Sequence, residues 1–295
     1  MPSVNPPSEL HVSPSLRSRY LLAWARHGVF AWTRSSAYRK FCRRNRGAKL
    51  VADTRHDFKM LIEIGDSVDN HILIDGEFEP LLTRLIKEHS PTAHTFVDVG
   101  CNIGYFSCLF SRWAAPDARC ISIDANPSMI ERCQRNLLLN DFRGAVCENV
   151  GVAAEVGTLE FHVPENRHSL GSFGTVARGK GPQRSFQVAT RPLNDILLER
   201  GLADVDILKI DIEGFEPKLF QGLDVAGKVK VNHIFFEYCP ANLAQCGFST
   251  HDVWHFPWWR SYRLSYLDDD QDRVVEFDDP SRIPAEVETV WATLR

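Results

Sequence analysis

The feature that most constrains the fold of this 295-residue chain is an apolar run that ends in a glycine-bent turn, at residues 96–107. These residues read Phe-Val-Asp-Val-Gly-Cys-Asn-Ile-Gly-Tyr-Phe-Ser. The pattern predicts a buried strand at Thr95–Val99, a turn, and a helix at Gly104–Ala115. Gly100 and Gly104 can adopt positive φ, and the helix directs its free N–H groups at the same point. Such a unit is typical of an α/β protein that holds a nucleotide-like cofactor at the edge of a parallel sheet.

Two adenosine cofactors could bind at such a turn, and the neighbouring residues favour one of them. A dinucleotide needs a second glycine where this chain has Asn102, and Asp98 would repel a pyrophosphate. S-adenosylmethionine is cationic and has no phosphate, so we predict that Asp98 binds its amino group, directly or through water. Asp124, which follows the next predicted strand, would accept hydrogen bonds from both ribose hydroxyls. An NAD-dependent oxidoreductase and a glycine turn without a ligand are the less favoured alternatives.

Strand and helix patterns alternate along the rest of the chain. Further strands are predicted at 119–123, 145–150, 206–210 and 233–237, with helices at 127–140, 193–200 and 215–222. This alternation predicts a parallel sheet with right-handed crossovers. Segments near 262–267 and 289–294 are predicted to form an antiparallel hairpin at the sheet edge, connected through an acidic turn at 268–272.

Two irregular regions are predicted to shape the pocket of a substrate. The first is a glycine- and serine-rich segment at 165–183, which is flanked by paired β segments and is predicted to be a mobile loop. The second is a cluster of aromatic residues around Trp258. Aromatic side chains suit sugars, polyketides and lipids alike, so they do not identify the substrate.

The second informative stretch is an apolar strand that ends in three carboxylates, at residues 205–216. Asp211, Glu213 and Glu216 follow this strand, and Glu237 ends the next predicted one. Ligands of an open α/β sheet bind beyond the carboxyl ends of its strands, so these acids would lie near a bound cofactor. We predict that Asp211, Glu213 and Glu237 are catalytic, whereas Glu216 is read as an acid that caps the following helix.

These stretches resemble the FkbM family of S-adenosylmethionine-dependent methyltransferases. The resemblance rests on residues 96–107, Asp124-Ala125-Asn126-Pro127, Gly157-Thr158-Leu159 and Leu208-Lys209-Ile210-Asp211-Ile212-Glu213-Gly214-Phe215-Glu216. It covers roughly residues 75–295 and implies a class I, Rossmann-like, seven-stranded methyltransferase fold. It also implies O-methylation of a hydroxyl group on a small molecule, polyketide or glycan.

The predicted cofactor site gathers residues that follow three strands. It comprises Asp98, Gly100, Cys101, Asn102, Gly104, Asp124, Ala125, Asn149 and Val150. Asn149 and Val150 are included from their position in such folds, where a side-chain amide and a backbone N–H would meet adenine. Cys101 stands where the family usually has alanine, and we read it as a small turn residue rather than a nucleophile. Asn194 replaces an aspartate of the family pattern, which weakens any role for that position.

Methyl transfer to oxygen requires aligned reactants and removal of the hydroxyl proton. Glu213 or Glu237 is the predicted base, and Asp211 would order the cofactor and the acceptor. A magnesium ion held by these three acids is an alternative that we do not favour. His162 and His168 are weaker candidates for the base. A cofactor-binding scaffold without activity is a further alternative, which the intact carboxylates oppose.

Charge divides the chain into a basic beginning and an acidic remainder. Residues 1–50 hold ten Lys and Arg and one acid, a net charge of +9, which leaves 24 basic and 37 acidic residues, or −13, in the remainder. We predict a basic N-terminal extension at 1–60, partly disordered or helical, and a methyltransferase domain at 61–295. The extension is read as a helical cap on the sheet, with weak contact to an anionic membrane surface as the alternative. The acidic remainder opposes nucleic-acid binding.

The cysteines and the hydropathy pattern indicate the compartment. The eight cysteines form no C-x-x-C pair, and the chain has no uninterrupted apolar run of about 18 residues. We therefore expect a reduced, cytoplasmic protein with buried thiols. The expected partner is the small-molecule or glycan acceptor that the family resemblance implies.

Overall fold

The computed structural model describes residues 40, 42–164, 171–174, 183–225, 227–285 and 287–295. The chain forms two units, Met1–Phe78 and Glu79–Arg295. In the first unit, strands β1 (Lys49–Asp53) and β2 (Lys59–Glu63) pair antiparallel, and helix α1 (Ser67–Asp75) follows them. Met60 and Ile62 of β2 are buried because alternate side chains of a strand point to the same face.

The hairpin differs from the predicted structure of the N-terminal extension. The sequence predicts an extension at 1–60 that is partly disordered or helical, whereas residues 49–53 and 59–63 are strands. Each strand is five residues long and has a lysine at its start, so its alternation of apolar residues is a weak signal. Residues 1–39 and 41 lie outside the described residues, and the domain boundary at residue 60 stays a prediction. In the described ranges, no helix combines the length and the apolar character needed to cross a bilayer.

The second unit alternates strands with helices. In chain order its elements are α2 (Pro80–His89), β3 (Thr95–Val99), α3 (Tyr105–Trp113), β4 (Arg119–Asp124), α4 (Pro127–Leu139), β5 (Ala145–Asn149), β6 (Gly151–Val152), β7 (Gly157–Pro164), β8 (Gln183–Arg191), α5 (Leu193–Glu199), β9 (Asp204–Ile210), α6 (Glu216–Gln221), β10 (Lys230–Glu237), α7 (Pro240–Gln245), α8 (His251–Trp254), β11 (Tyr262–Asp268), β12 (Arg273–Phe277) and β13 (Thr289–Leu294). Short 3₁₀ turns lie at Ser90–Thr92, Pro257–Ser261 and Pro280–Arg282.

An eight-stranded sheet forms the centre of this unit, in the order β12-β11-β13-β10-β9-β3-β4-β5. Neighbours from β10 to β5 are parallel, whereas β13 is antiparallel to both β10 and β11. A smaller sheet has the order β6-β8-β7. The chain proceeds from β3 to β4 and β5 in one direction and from β9 to β10 in the other. The strand order therefore reverses between β3 and β9, the position at which open α/β sheets bind ligands.

The central strands and helices form where the apolar pattern places them. All five residues of β3 are buried, as expected for a parallel strand that is covered on both faces. Phe96 of β3 stacks on Phe110 of α3 with ring centroids 5.0 Å apart. Helix α4 begins at Pro127, and the Asn126 side chain caps it by accepting a hydrogen bond from the backbone N–H of Ser128.

The predicted class I fold is confirmed, with one difference at the edge of the sheet. The segments at 262–267 and 289–294 pair antiparallel as predicted. The acidic residues 268–272 turn into an eighth strand, β12, instead of connecting that pair directly. This strand lies at the edge of the sheet and is mostly exposed, so its sequence, Arg-Val-Val-Glu-Phe, has no continuous apolar pattern.

Candidate active site

The glycine turn after β3 holds three strand ends together. Gly100 has φ 75°, and its N–H donates to the carbonyl of Ile123 at 2.8 Å. The N–H of Asp211 donates to the carbonyl of Val99 at 2.9 Å. A Cβ on Gly100 would lie 1.7 Å from the carbonyl oxygen of Asp211, so no side chain fits at that position. The turn therefore fixes the ends of β3, β4 and β9 at one edge of the sheet.

We expect Gly100→Ala to lower the free energy of unfolding by about 2–4 kcal/mol, because it adds a steric clash to an unfavourable φ. Gly201 provides a matched control, because it has φ 66° and a Cβ there would meet nothing within 4 Å. Gly201→Ala should cost only about 1–2 kcal/mol, the backbone penalty alone. Urea denaturation of both variants tests this prediction, and equal losses would show that the contact with Asp211 has no effect.

Asp124 is held by backbone groups on both sides. Its Oδ2 accepts from the N–H of Asn102 at 2.9 Å, and its Oδ1 accepts from the N–H of Asn126 at 2.8 Å. Burial raises the pKa of Asp124 to about 6, although these two hydrogen bonds oppose the shift. Asn102 itself has φ 50°, a conformation that asparagine adopts more readily than most residues. The structure thus places Asp124 beside the turn, and Ala125 follows it, partly buried against the cluster of Phe161, Val163 and Val188.

Asn149 and Val150 lie next to Asp124, and both donate hydrogen bonds to backbone carbonyls there. The Asn149 amide nitrogen donates to the carbonyls of Asp124 and Ala125 at 3.0 and 3.1 Å. Its side-chain oxygen is the group that could accept from an exocyclic amine. The N–H of Val150 donates to the Asp124 carbonyl at 3.2 Å, so the predicted backbone donor to a ring nitrogen is already used. The sequence could not show this bond, because it depends on the course of the chain after β5.

Asp98 is completely buried and belongs to a charged cluster. Its Oδ2 accepts from the hydroxyl of Ser107 at 2.7 Å, and its Oδ1 lies 3.8 Å from Lys209 Nζ. Lys209 also donates to Asp211 Oδ2 at 3.3 Å. Burial raises the pKa of Asp98, and the Lys209 ammonium opposes the shift. Burial disfavours the charge on Lys209, but Asp211, Asp98 and Glu79 outweigh it and raise the pKa of the lysine.

Lys209 is a site residue that the sequence analysis missed. It occupies an otherwise apolar strand end and is 4% exposed. A lysine in a buried strand needs a partner of opposite charge, and this rule is the signal that could have identified it.

The carboxylates predicted to be catalytic lie in two neighbouring groups. Asp211 lies with Lys209, whereas Glu213 and Glu237 both accept hydrogen bonds from the side-chain nitrogen of Asn242. Glu216 is almost fully buried, and its Oε1 accepts from the N–H groups of Ile212 and Gly214 at 3.1 and 3.3 Å. Burial raises the pKa of Glu216 to about 8. Both N–H groups belong to the loop before α6, and among the described residues no side chain caps the start of that helix, so Glu216 fixes this loop instead of capping the helix as the sequence predicts.

An open cleft lies beyond the carboxyl ends of β9 and β10, and its empty space of about 330 Å³ is continuous with the solvent. It is lined by Glu79, Leu82, Lys209, Ile210, Asp211, Phe235, Phe236, Glu237, Glu288 and Thr289. Glu79 and Glu288 are further residues that the sequence analysis missed, since neither follows a strand of the parallel sheet. Glu79 precedes α2 in a left-handed conformation with φ 43°, and burial raises its pKa to about 8. Among the described residues, no three His, Cys, Asp or Glu side chains are arranged to hold a metal ion.

Other predicted residues lie away from this cleft. Burial raises the pKa of the Cys101 thiol to about 12, in agreement with a small turn residue. His162 lies 3.9 Å from Glu160 on β7 and does not line the cleft, and His168 lies outside the described residues. Asn194 is buried at the start of α5.

The aromatic cluster around Trp258 packs against the hydrophobic core, and its part in a substrate pocket stays a prediction. Trp258 and Trp259 pack against Phe220 with ring centroids 5.7 and 5.3 Å apart, and they extend the hydrophobic core. Neither tryptophan lines the cleft. In the segment predicted to be a loop, residues 165–170 and 175–182 lie outside the described part. Ser172, between them, donates from its hydroxyl to the carbonyl of Glu213 at 3.3 Å.

The chain is similar to known methyltransferases. The family model of the methyltransferase FkbM domain matches residues 98–264. Methyltransferase sdnD of Sordaria araneosa is 30% identical over 161 residues, which are 45% of this chain and 62% of that protein. Methyltransferase 1 of Beauveria bassiana is 26% identical over 165 residues, which are 50% of this chain and 66% of that protein. The chain thus spans less than two thirds of the length of these relatives.

The chain is also similar to a solved structure, that of the O-methyltransferase TomG of Streptomyces achromogenes in complex with SAM. The matched region covers 73% of this chain and 78% of the TomG chain. Its sequence identity is 13% and its TM-score is 0.43. The strand order of the central sheet shows the fold, and the match over 98–264 shows the family. With that match extending over more than half of its residues, the chain belongs to the FkbM methyltransferase domain family.

Proposed function

We propose that the protein transfers the methyl group of S-adenosylmethionine to a hydroxyl oxygen of a small molecule, polyketide or glycan. One observation carries this proposal: the glycine turn with Asp124 and the acidic cleft lie at the carboxyl ends of adjacent strands, β3 and β9. The first suits an adenosine and the second suits an acceptor. Membership of the FkbM family supports the choice of methyl transfer.

The residues around the turn suit this cofactor, which supplies an electrophilic methyl group when it is bound. Asp124, fixed by two backbone N–H groups, would accept from the ribose hydroxyls. Gly100, Cys101, Asn102 and Gly104 would form the backbone around it, and Ala125, Asn149 and Val150 would border the adenine. Asp98 Oδ1 has no hydrogen-bond partner among the described residues although it is buried. This oxygen suits the proposed contact between Asp98 and the amino group of the cofactor. Because Asp98 is completely buried, the contact would run through a water.

The acceptor would lie in the cleft at the ends of β9 and β10. Its hydroxyl must align with the methyl group and lose a proton during the transfer. Glu213 or Glu237 would take the proton, and Asp211, paired with Lys209, would order the two reactants. A carboxylate suits this task because it loses its negative charge on accepting the proton, while the cofactor loses its positive charge on giving up the methyl group.

We expect the affinity for S-adenosylhomocysteine to fall below pH 6, because only ionised Asp124 offers both oxygens to the ribose. With a pKa of about 6, protonation should weaken binding by about tenfold between pH 7 and pH 5. Isothermal titration at several pH values measures this dependence. Asp124→Asn is the control, and it should bind about tenfold or more weakly and show a much smaller change with pH. A wild-type affinity that stays constant down to pH 5 would contradict the role of Asp124.

Two experiments test the proposed function itself. Titration with S-adenosylhomocysteine and with NAD separates a methyltransferase from an oxidoreductase, and tight binding of NAD alone would exclude our proposal. A mass-spectrometric search of extracts for a metabolite that gains one CH₂, about 14 mass units, when the protein and S-adenosylmethionine are added would identify the acceptor. A protein that binds the cofactor and methylates nothing would be a scaffold.

The cytoplasmic location and the weak membrane contact of the basic segment stay predictions.

A further inference from the structure

One buried amide connects the two carboxylates that are candidates for the base. The Asn242 side-chain nitrogen donates to Glu213 Oε2 at 2.9 Å. The same nitrogen lies 3.1 and 3.2 Å from Oε1 and Oε2 of Glu237. An amide nitrogen carries two hydrogens, so it can serve both carboxylates at once. The sequence gives no sign of this bridge, because Asn242 stands in a short helix after β10.

We propose that Glu237 is the group that takes the acceptor's proton and that Asn242 is its positioning residue, anchored in turn by Glu213. This inference rests on the proposed function and decides between its two candidate bases. In the step, the acceptor oxygen forms a bond to the methyl carbon. The carbon–sulfur bond breaks with its electron pair going to sulfur, and the hydroxyl proton goes to Glu237. An amide does not titrate, so Asn242 orients the carboxylates without accepting a proton.

The backbone holds Asn242 in one place. The residue is 2% exposed and lies in the first turn of α7. Its N–H donates to the carbonyl of Cys239 at 3.0 Å, and its carbonyl accepts from the N–H of Cys246 at 3.1 Å. A Cβ on Gly214 would lie 2.3 Å from this same carbonyl oxygen, so a glycine is needed for α7 to approach the loop after β9. Asn242 is therefore a rigid point from which both carboxylates are oriented.

The surroundings of the two carboxylates differ, and the difference selects Glu237. Glu237 ends β10 and lines the cleft, where an acceptor would lie. Glu213 is not among the residues that line the cleft. Its backbone is left-handed with φ 55°, and its carbonyl accepts from Ser172 and Cys246. A residue held in an uncommon conformation, with its carboxylate directed at Asn242, suits an anchor.

The kinetic test compares Asn242→Leu, Glu237→Gln and the double variant. The probe is the transfer of labelled methyl groups from S-adenosylmethionine into a small-molecule extract of the cells that make the protein. We expect Asn242→Leu to lower the transfer rate by about 10²-fold, because a carboxylate that loses its orientation is displaced from the reacting atoms. Its affinity for S-adenosylhomocysteine should stay within about twofold of wild type, because Asn242 acts on the other reactant.

A residue that acts through Glu237 has no separate effect once that glutamate is absent. The double variant should therefore be no slower than Glu237→Gln alone. Losses that multiply in the double variant would overturn the inference, since they would show that Asn242 acts elsewhere. An unchanged rate in Asn242→Leu would overturn it as well.

A second measurement does not depend on turnover. Asn242→Asp keeps the shape of the side chain but places a third carboxylate between two others. Among the described residues, titratable groups near this pair include Glu79, Lys209, Asp211 and Glu288, which line the cleft with Glu237, and Glu216 and Cys246 on the side of Glu213. A carboxyl beside like charges keeps its proton more readily when folded, so the variant should lose stability as the pH rises from 5 to 8. Its Tm, compared with wild type at the same pH, should therefore fall further at pH 8 than at pH 5.

The two measurements separate the two proposals. If the wild-type protein transfers no methyl group to any extract, the proposed function fails, and Asn242→Asp still tests the bridge. A loss of Tm that is equal at both pH values would show that the carboxylates are not joined through this amide, which overturns the inference. A loss that grows with pH supports it.

Discussion

A Lys209→Met variant should be about 3–5 kcal/mol less stable than wild type at pH 8, because it leaves Asp98 buried without its cation. The ammonium lies 3.8 Å from Asp98 Oδ1, and the carboxylate is completely buried. Methionine has a similar length and volume, so the loss reports the charge more than a cavity. Urea denaturation measures the free energy of unfolding.

The loss should depend on pH with a definite sign. The pKa of Asp98 is already raised by burial, against the effect of Lys209, and it rises further without the lysine. A carboxyl whose pKa is raised on folding loses stability as the pH climbs above its unfolded value of about 4. The deficit of Lys209→Met should therefore be smaller at pH 5 than at pH 8. In the wild type the pKa of Lys209 is raised, so its charge is constant over this range.

The matched control for this variant removes both charges. Lys209→Met combined with Asp98→Asn leaves no buried carboxylate, so the double variant should recover much of the stability and lose the pH dependence. A double variant as unstable as the single one would show that the lysine stem, and not its charge, is what the fold requires. The same conclusion would follow if the stability deficit of Lys209→Met did not change between pH 5 and pH 8.

The sequence predicts those parts of the site that depend on neighbouring residues. The strand Thr95–Val99 is recognisable because Phe96, Val97 and Val99 are apolar, and the turn after it because Gly100 needs positive φ. Asp124 is recognisable because it ends the next strand at a fixed point of the fold. In each case the signal lies within a few residues of the chain, where the periodicity and the preferences of the turn are strong.

The parts that the sequence does not predict depend on contacts between distant segments. Lys209 meets Asp98 across 111 positions, and Asn242 meets Glu213 across 29. Glu79 reaches the cleft from the start of α2, which precedes the sheet. These pairs follow from the strand order and from the angle at which short helices pack. The edge strand β12 was missed for a different reason, because it is too exposed to show an apolar pattern.

Glu237→Gln should lower the rate of methyl transfer by about 10²–10⁴-fold, the usual contribution of a positioned base. Glutamine keeps the size of the side chain and the contact with Asn242 but cannot take the proton. Affinity for S-adenosylhomocysteine should change little, because Glu237 lies at the acceptor cleft and not at the glycine turn. Glu213→Gln should also reduce turnover far more than cofactor affinity, whereas Asp124→Ala should do the reverse. Glu276→Gln, on the exposed face of β12, is the matched control and should leave the rate unchanged. A Glu237→Gln variant with the wild-type rate, or one that loses cofactor affinity in proportion to its rate, would assign the base to another residue.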